Sequence, residues 1–142
     1  MGGDDRTAAN KVLMRRITDE IWNHGKLDLI DELIGHDFVD HVRIEGLEGT
    51  GRERYRRSVE MMRAAFSDRH ESIEFLVAER DLVTSYVTIT GTHDGELQGL
   101  PPTGRRVTTE AIGVLRFVDG RAVERWGFGD TLGMMTQLGL MS

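Results

Sequence analysis

An α+β fold is predicted for this chain: a cone-shaped, curved antiparallel sheet packed against three N-terminal helices and closed by a short C-terminal helix. Three observations predict it. Apolar residues recur at helical spacing through about the first 66 positions. The period then drops to two between about Ile73 and Gly129, and helical spacing returns from Thr131 to Leu138. Helices grouped ahead of an antiparallel meander pack on one of its faces. A strongly curved sheet covered in this way encloses a pocket. At 142 residues the chain suits a single domain over positions 1–142, with residues 1–6 reading as a frayed tail.

The first helix is expected from about Thr7 to His24, where Ala9, Val12, Leu13, Ile17 and Ile21 form one face. Gly25 supplies the left-handed residue that stops it. A second, short helix from Leu27 to Ile34 ends at Gly35, and Asp37 to His41 reads as a short strand leading into a glycine-rich loop. Thr50-Gly-Arg-Glu53 has the form of a capping box. The third helix follows it to about Phe66, with Tyr55, Val59, Met62 and Phe66 on one face and Arg52, Arg54, Arg56, Arg57 and Arg63 on the other. A phosphate site and a solvated face are the two readings of those arginines, and the acidic remainder of the chain favours the second.

Four strands follow: Ile73–Glu79, Leu82–His93, Arg106–Val118 and Arg121–Gly129. Asp119-Gly120 is a strong two-residue hairpin signal, and Arg80-Asp81 is a weaker one. The segment from Asp94 to Gly104 is a long loop joining neighbouring strands. The two middle strands carry apolar residues on both faces, as in Val107, Ala111, Leu115 and Phe117 against Ile112, Val114 and Val118. A sheet covered on one side only has a wet second face, so a homodimer joined through the sheet is expected.

Composition excludes several functions. The chain has 18 Lys+Arg against 24 Asp+Glu, a net charge of −6 and no cysteine. Disulfides, thiolate nucleophiles and cysteine-based metal sites are therefore absent, and the acidic balance argues against a nucleic-acid partner. No apolar run is long enough for a bilayer, and no secretion signal opens the chain, so a cytoplasmic protein without membrane attachment is expected. No serine-nucleophile elbow, phosphate loop or dinucleotide fingerprint is present. His24, His36, His41, His70 and His93 follow no metal-ligand spacing.

General acid–base chemistry survives. Asp130 follows Glu124, Trp126 and Phe128 at period two, and a carboxylate between two aromatics in a pocket would hold its proton more readily than in water. Asp at that position also reads as the N-cap of the last helix; both readings stay open. His41 and His93, each ending a strand, are further candidates for orienting a substrate or tuning Asp130. Asp40 stands at the prospective pocket mouth. Trp22, Tyr55, Met62, Phe66, Val114, Trp126, Phe128 and Met134 form the prospective apolar wall, and each also suits ordinary core packing.

The runs Asp19-Glu20-Ile-Trp22-Asn23-His-Gly25, Asp37-Phe-Val-Asp40-His41, Gly99-Leu-Pro101-Pro102-Thr103-Gly104-Arg105, Glu124-Arg-Trp126 and Asp130-Thr-Leu-Gly133, with Gln137-Leu-Gly139, resemble the SnoaL-like polyketide cyclases of the nuclear transport factor 2-like superfamily. The likeness spans about residues 10 to 140. It implies a homodimer with an apolar pocket inside a cone, a small apolar carbonyl substrate, no cofactor and no metal. It further implies intramolecular aldol ring closure with Asp130 as the acid/base. Val114 and Arg116 stand where a small polar or histidine side chain is expected. Epoxide hydrolase, isomerase, dehydratase and non-enzymatic binding modules share the superfamily, so fold kinship alone does not choose the reaction.

Overall fold

The computed structural model describes residues 2–141, with side chains from Asp5 onward. Helix α1 (Gly2–Arg16) runs directly into a π-helical segment, Ile17–Asn23. A 3₁₀ turn, Leu27–Leu29, flows into α2 (Ile30–Leu33), which leads without a break into β1 (Ile34–Asp40). Then come α3 (Gly51–Ala65), β2 (His70–Glu79), β3 (Leu82–Thr92), β4 (Arg106–Val118), β5 (Arg121–Gly129) and α4 (Thr131–Gln137). The sheet order is β1-β5-β4-β3-β2. β2 to β5 form the antiparallel meander, whereas β1 joins the edge of β5 in parallel. The sheet is curved and unclosed, with the helices over its inner face and α4 at one end.

The signals that mark chain reversals are borne out. Gly25 has φ +68° and follows the last helical turn; a side chain there would sit 2.7 Å from Arg63 Nε. Asp119 and Gly120 both take positive φ, as a two-residue hairpin of opposite turn hand requires. Arg80 does so at the β2–β3 turn. The long loop is fastened to the end of α3, where the Asp94 and Gly95 N–H groups donate to the Ala65 carbonyl and the Ser67 hydroxyl donates to Asp94.

Four expectations are corrected. Residues 2–6 belong to α1 instead of a frayed tail; Met1 lies outside the described residues. Ile34 and Gly35 start β1 instead of ending a helix, because Ile34 aligns with Ala122 of β5. Thr50 sits at the N-cap of α3, but its side chain makes no capping bond, and Glu53 pairs with Arg56 at 3.4 Å. The arginines of α3 are not a solvated face. Arg52 donates to the Ile34 carbonyl, Arg54 to Val42, Arg56 to Leu27, Arg57 to Glu48 and Arg63 to Trp22 and Asn23. They staple α3 to the chain around it.

The inner face carries Val83, Ser85 and Val87 from β3 and Val107, Leu115 and Phe117 from β4, all buried. Val83, Leu115 and Phe117 meet Met14, Ile17, Ile21, Phe38, Tyr55 and Val59 in the larger core. A smaller core, Ala65, Phe66, Leu97, Val107 and Leu138, seals the end below α4. The outer face exposes Phe75, Val77, Ile112, Val118 and Phe128. No helix among the described residues is long and apolar enough to cross a membrane.

Candidate active site

The hollow between the helices and the inner sheet face has two lobes. The larger, about 310 Å³, is lined by Met14, Ile17, Trp22, Tyr55, Val87, Leu115 and Arg125, among others. That volume lies at the lower end for small-molecule sites, about 300–1,000 Å³. The smaller, about 180 Å³, runs toward α4 between Phe66, Gly91, Val107, Thr109, Asp130 and Met134. Met62, Arg69, Ile89, Ala111 and Gly129 border both lobes, so the two are adjacent. A wider groove of about 790 Å³ lies outside, between β1 and the start of α3. The inward-facing side chains of the sheet do not converge on it.

Chain geometry explains why the chamber stays hollow. Register places Gly113 opposite Gly127, and Ala111 opposite Gly129, on the inner face of β4 and β5. Small or absent side chains there leave space where larger ones would fill it. The π-helical segment carries Trp22 to the chamber, where its indole N–H donates to the Tyr55 hydroxyl at 2.8 Å. Their rings meet edge to face at 5.9 Å. Burial pushes the Tyr55 phenol up to about 12, the nearby Arg125 opposing the shift, so the hydroxyl keeps its proton.

Five charged groups cluster at and behind the inner wall, of which Arg69, Glu71 and Arg125 line the larger lobe. Asp40, only 2% exposed, forms an ion pair with Arg54 at 3.0 Å and is forked by Arg125 through Nε at 3.0 Å and Nη2 at 2.5 Å. The Val42 N–H donates to the same carboxylate at 3.0 Å. Arg125 lies over the Tyr55 ring at 4.9 Å. Arg69 and Glu71, at the start of β2, approach each other at 3.3 Å, and Arg69 lies over the Trp22 ring at 4.9 Å. The Asn23 side chain clamps Glu71 by its backbone, accepting from its N–H and donating to its carbonyl. Sequence reading missed Arg69 and Glu71; the signal was Glu71, charged yet in phase with Ile73 at the start of the strand.

Of the expected site residues, Trp22, Tyr55 and Met62 border the larger lobe, and Met62, Phe66, Met134 and Asp130 border the smaller. Asp130 is not enclosed between aromatics. It is exposed, caps α4 by accepting the Gly133 N–H at 2.8 Å, and stands at the rim of the smaller lobe. The cap reading of this residue is borne out. Trp126 and Phe128 share one face, as expected, but it is the outer one: they oppose Val114 and Ile112, and Phe128 is 82% exposed. Those residues edge the chamber at the bare Gly113–Gly127 backbone.

Asp40 is not at the mouth, since two arginines hold it inside the fold. His41 lies on the outer face, stacked on Trp126 at 5.1 Å and bonded to Glu124 at 2.7 Å. His93 is fully buried beneath the long loop, accepting the Thr103 N–H at 3.2 Å with its ring 5.4 Å from Phe66. The structure thus brings neither histidine to Asp130. Among the described residues, no group of three or more His, Cys, Asp or Glu side chains is placed to hold a metal ion.

This frame matches known proteins along most of its length. The sequence profile of the SnoaL-like polyketide cyclases matches residues 12–138. The chain belongs to that family. It is 34% identical to the nogalonic acid methyl ester cyclase of Streptomyces nogalater over 119 residues, 83% of this chain and 89% of the relative. It is also 34% identical to the aklanonic acid methyl ester cyclase DauD of Streptomyces sp. strain C5 over 129 residues, covering 89% of this chain and 80% of that one. Among solved structures, wild-type IdmH of Streptomyces antibioticus aligns with TM-score 0.78 and 32% identity, covering 92% of this chain and 98% of its own. TsrD of Streptomyces laurentii aligns with TM-score 0.84 and 25% identity, covering 94% and 97%. The SnoaL-like kinship and the α+β cone are thus both as the sequence predicted.

Proposed function

We propose that this cyclase closes a ring of a polyketide methyl ester by cofactor-independent intramolecular aldol condensation, with Asp130 as the acid/base. The supporting observation is a largely apolar chamber of two adjacent lobes, with Asp130 on the rim of the smaller. Substrates of the nogalonic or aklanonic acid methyl ester type, named for its relatives, are the ones to test. A carbon between two carbonyls is acidic enough to lose its proton to a carboxylate held beside it. Asp130 takes that proton, the donor carbon bonds to the acceptor carbonyl carbon, and the same proton returns to the new alkoxide. Proton count and charge balance over the cycle. One oxygen of Asp130 is occupied by the Gly133 N–H, which orients the carboxylate and leaves the other oxygen for substrate. The enzyme works in the cytoplasm as a homodimer joined through the exposed apolar face of the sheet.

Epoxide opening would call for a second carboxylate beside Asp130. Asp40 is committed to Arg54 and Arg125, and the Glu110 carboxylate faces Tyr86, whose phenol it holds above its usual range by hydrogen bonding. The geometry therefore favours ring closure. Asp130→Asn is the decisive variant, because Asn caps a helix about as well as Asp and removes only the proton carrier. Turnover of aklanonic acid methyl ester is expected to fall about 10²-fold or more with the melting temperature unchanged. Activity near that of the parent chain overturns the assignment.

A further inference from the structure

Arg69 stands apart from the other arginines of the inner wall. Arg125 is forked by Asp40, Arg63 is matched by two carbonyls, and Arg54, although its Nη1 also lacks a hydrogen bond, is paired with Asp40 and donates through Nη2 to the Val42 carbonyl. The Arg69 side chain is 9% exposed, and its Nη1 is enclosed without a hydrogen bond. Its polar contact is the 3.3 Å approach to Glu71, which misses hydrogen-bond geometry. A buried guanidinium with unmet N–H groups is costly, and this one borders both lobes of the chamber. The Trp22 face beneath it holds the plane in place. At the deep wall two cations (Arg69, Arg125) meet one carboxylate (Glu71), with Asp40 and Arg54 paired behind it, an excess of one positive charge.

We infer that Arg69 is a catalytic group that binds the 1,3-dicarbonyl part of the substrate and stabilises it as the enolate. This rests on the chamber being the reaction site. A 1,3-dicarbonyl enolate offers two coplanar oxygens, the pattern a guanidinium fork recognises, as it does a carboxylate. Negative charge on those oxygens appears when the C–H bond breaks, so the interaction strengthens as the proton leaves. Glu71, tied to Asn23 through its own backbone, holds the guanidinium in register without saturating it.

The test uses two probes, 1-phenylbutane-1,3-dione, whose enolate absorbs in the near ultraviolet, and 1-phenylbutan-1-one, which forms no enolate near neutral pH. Absorbance is followed against pH with the protein in excess. The parent chain is expected to bind both and to raise the enolate fraction of the dione about tenfold at a given pH, the low end for a charge-assisted hydrogen bond. Arg69→Gln should keep the affinity for the ketone and lose the enolate rise; Arg69→Lys should keep part of it. An unchanged rise in Arg69→Gln, or no rise in the parent chain when the dione is bound, overturns the inference alone. Binding of neither probe by the parent chain overturns the chamber as the reaction site and this inference with it. The readout needs no turnover, so failure of Asp130→Asn to lower activity is seen separately.

Discussion

Asp40→Asn tests whether the chamber wall is held by charge. The side chain is 2% exposed, forms an ion pair with Arg54 at 3.0 Å, and accepts from Arg125 at 3.0 and 2.5 Å and from the Val42 N–H at 3.0 Å. Asn keeps the volume and one acceptor oxygen but no charge, leaving two guanidinium groups inside the fold with no full counter-charge. Breaking a buried pair by removing one partner costs about 3–5 kcal/mol. For a chain of this length the unfolding entropy near the midpoint is about 0.3 kcal/mol per degree, so the melting temperature should fall by roughly 10–15 °C. Circular dichroism on heating reads the shift, and urea titration with an unchanged slope shows that stability changed and not compactness. A fall below about 3 °C would refute the reasoning, because it would mean Arg54 and Arg125 find other partners as good.

Two further outcomes follow from the outer face. Glu124 is held below the ordinary carboxylate range by its bond from His41 and next by Arg116, and Asp81 by its bond from Arg116. Carboxylates lowered by folding stabilise the protein above their unfolded value, about 4, and that contribution is lost as the pH falls through the folded values. Melting temperature should therefore be steady from neutral pH to about 5 and drop in more acid solution; a flat profile down to pH 3 would contradict this. Phe128→Glu puts a charge at the most exposed large apolar residue of the outer face. Sedimentation should then shift from dimer to monomer with the fold intact, and a stable dimer in the variant would place the interface elsewhere.

The elements were legible in the sequence; the faces were not. Asp119-Gly120, Gly25 and the alternation from Leu82 to Thr92 each depend on local backbone chemistry, and each lies where it was expected. Period two says which residues of β5 share a face but not which face is inside. Trp126 and Phe128 look like pocket residues because they are large and apolar, and they are outside. Arg125, Gly127 and Gly129 look like a solvent face, and they line the chamber. A hollow fold inverts the usual rule, since glycine makes the space and charged side chains line it. The parallel pairing of β1 with β5 and the π-helical turn are likewise invisible to local pattern, because one depends on a distant strand and the other on a single widened turn.

The placement of charge bears on how one carboxylate at a rim can run a condensation. Asp130 sits with the cap of α4, exposed to solvent. Deeper in, the wall has one more cation than carboxylate. In the proposed reaction, a neutral substrate entering from the rim would meet the proposed base first and the proposed stabilising charge second. Such an order would favour forming the enolate inside over releasing it to water, because on the inference above the anion would be more stable beside Arg69 than at the mouth. A base buried beside the cation would instead be neutralised by it, as Glu71 and Asp40 are partly or wholly neutralised by their arginines. Separating base from cation across the chamber keeps both available to the substrate.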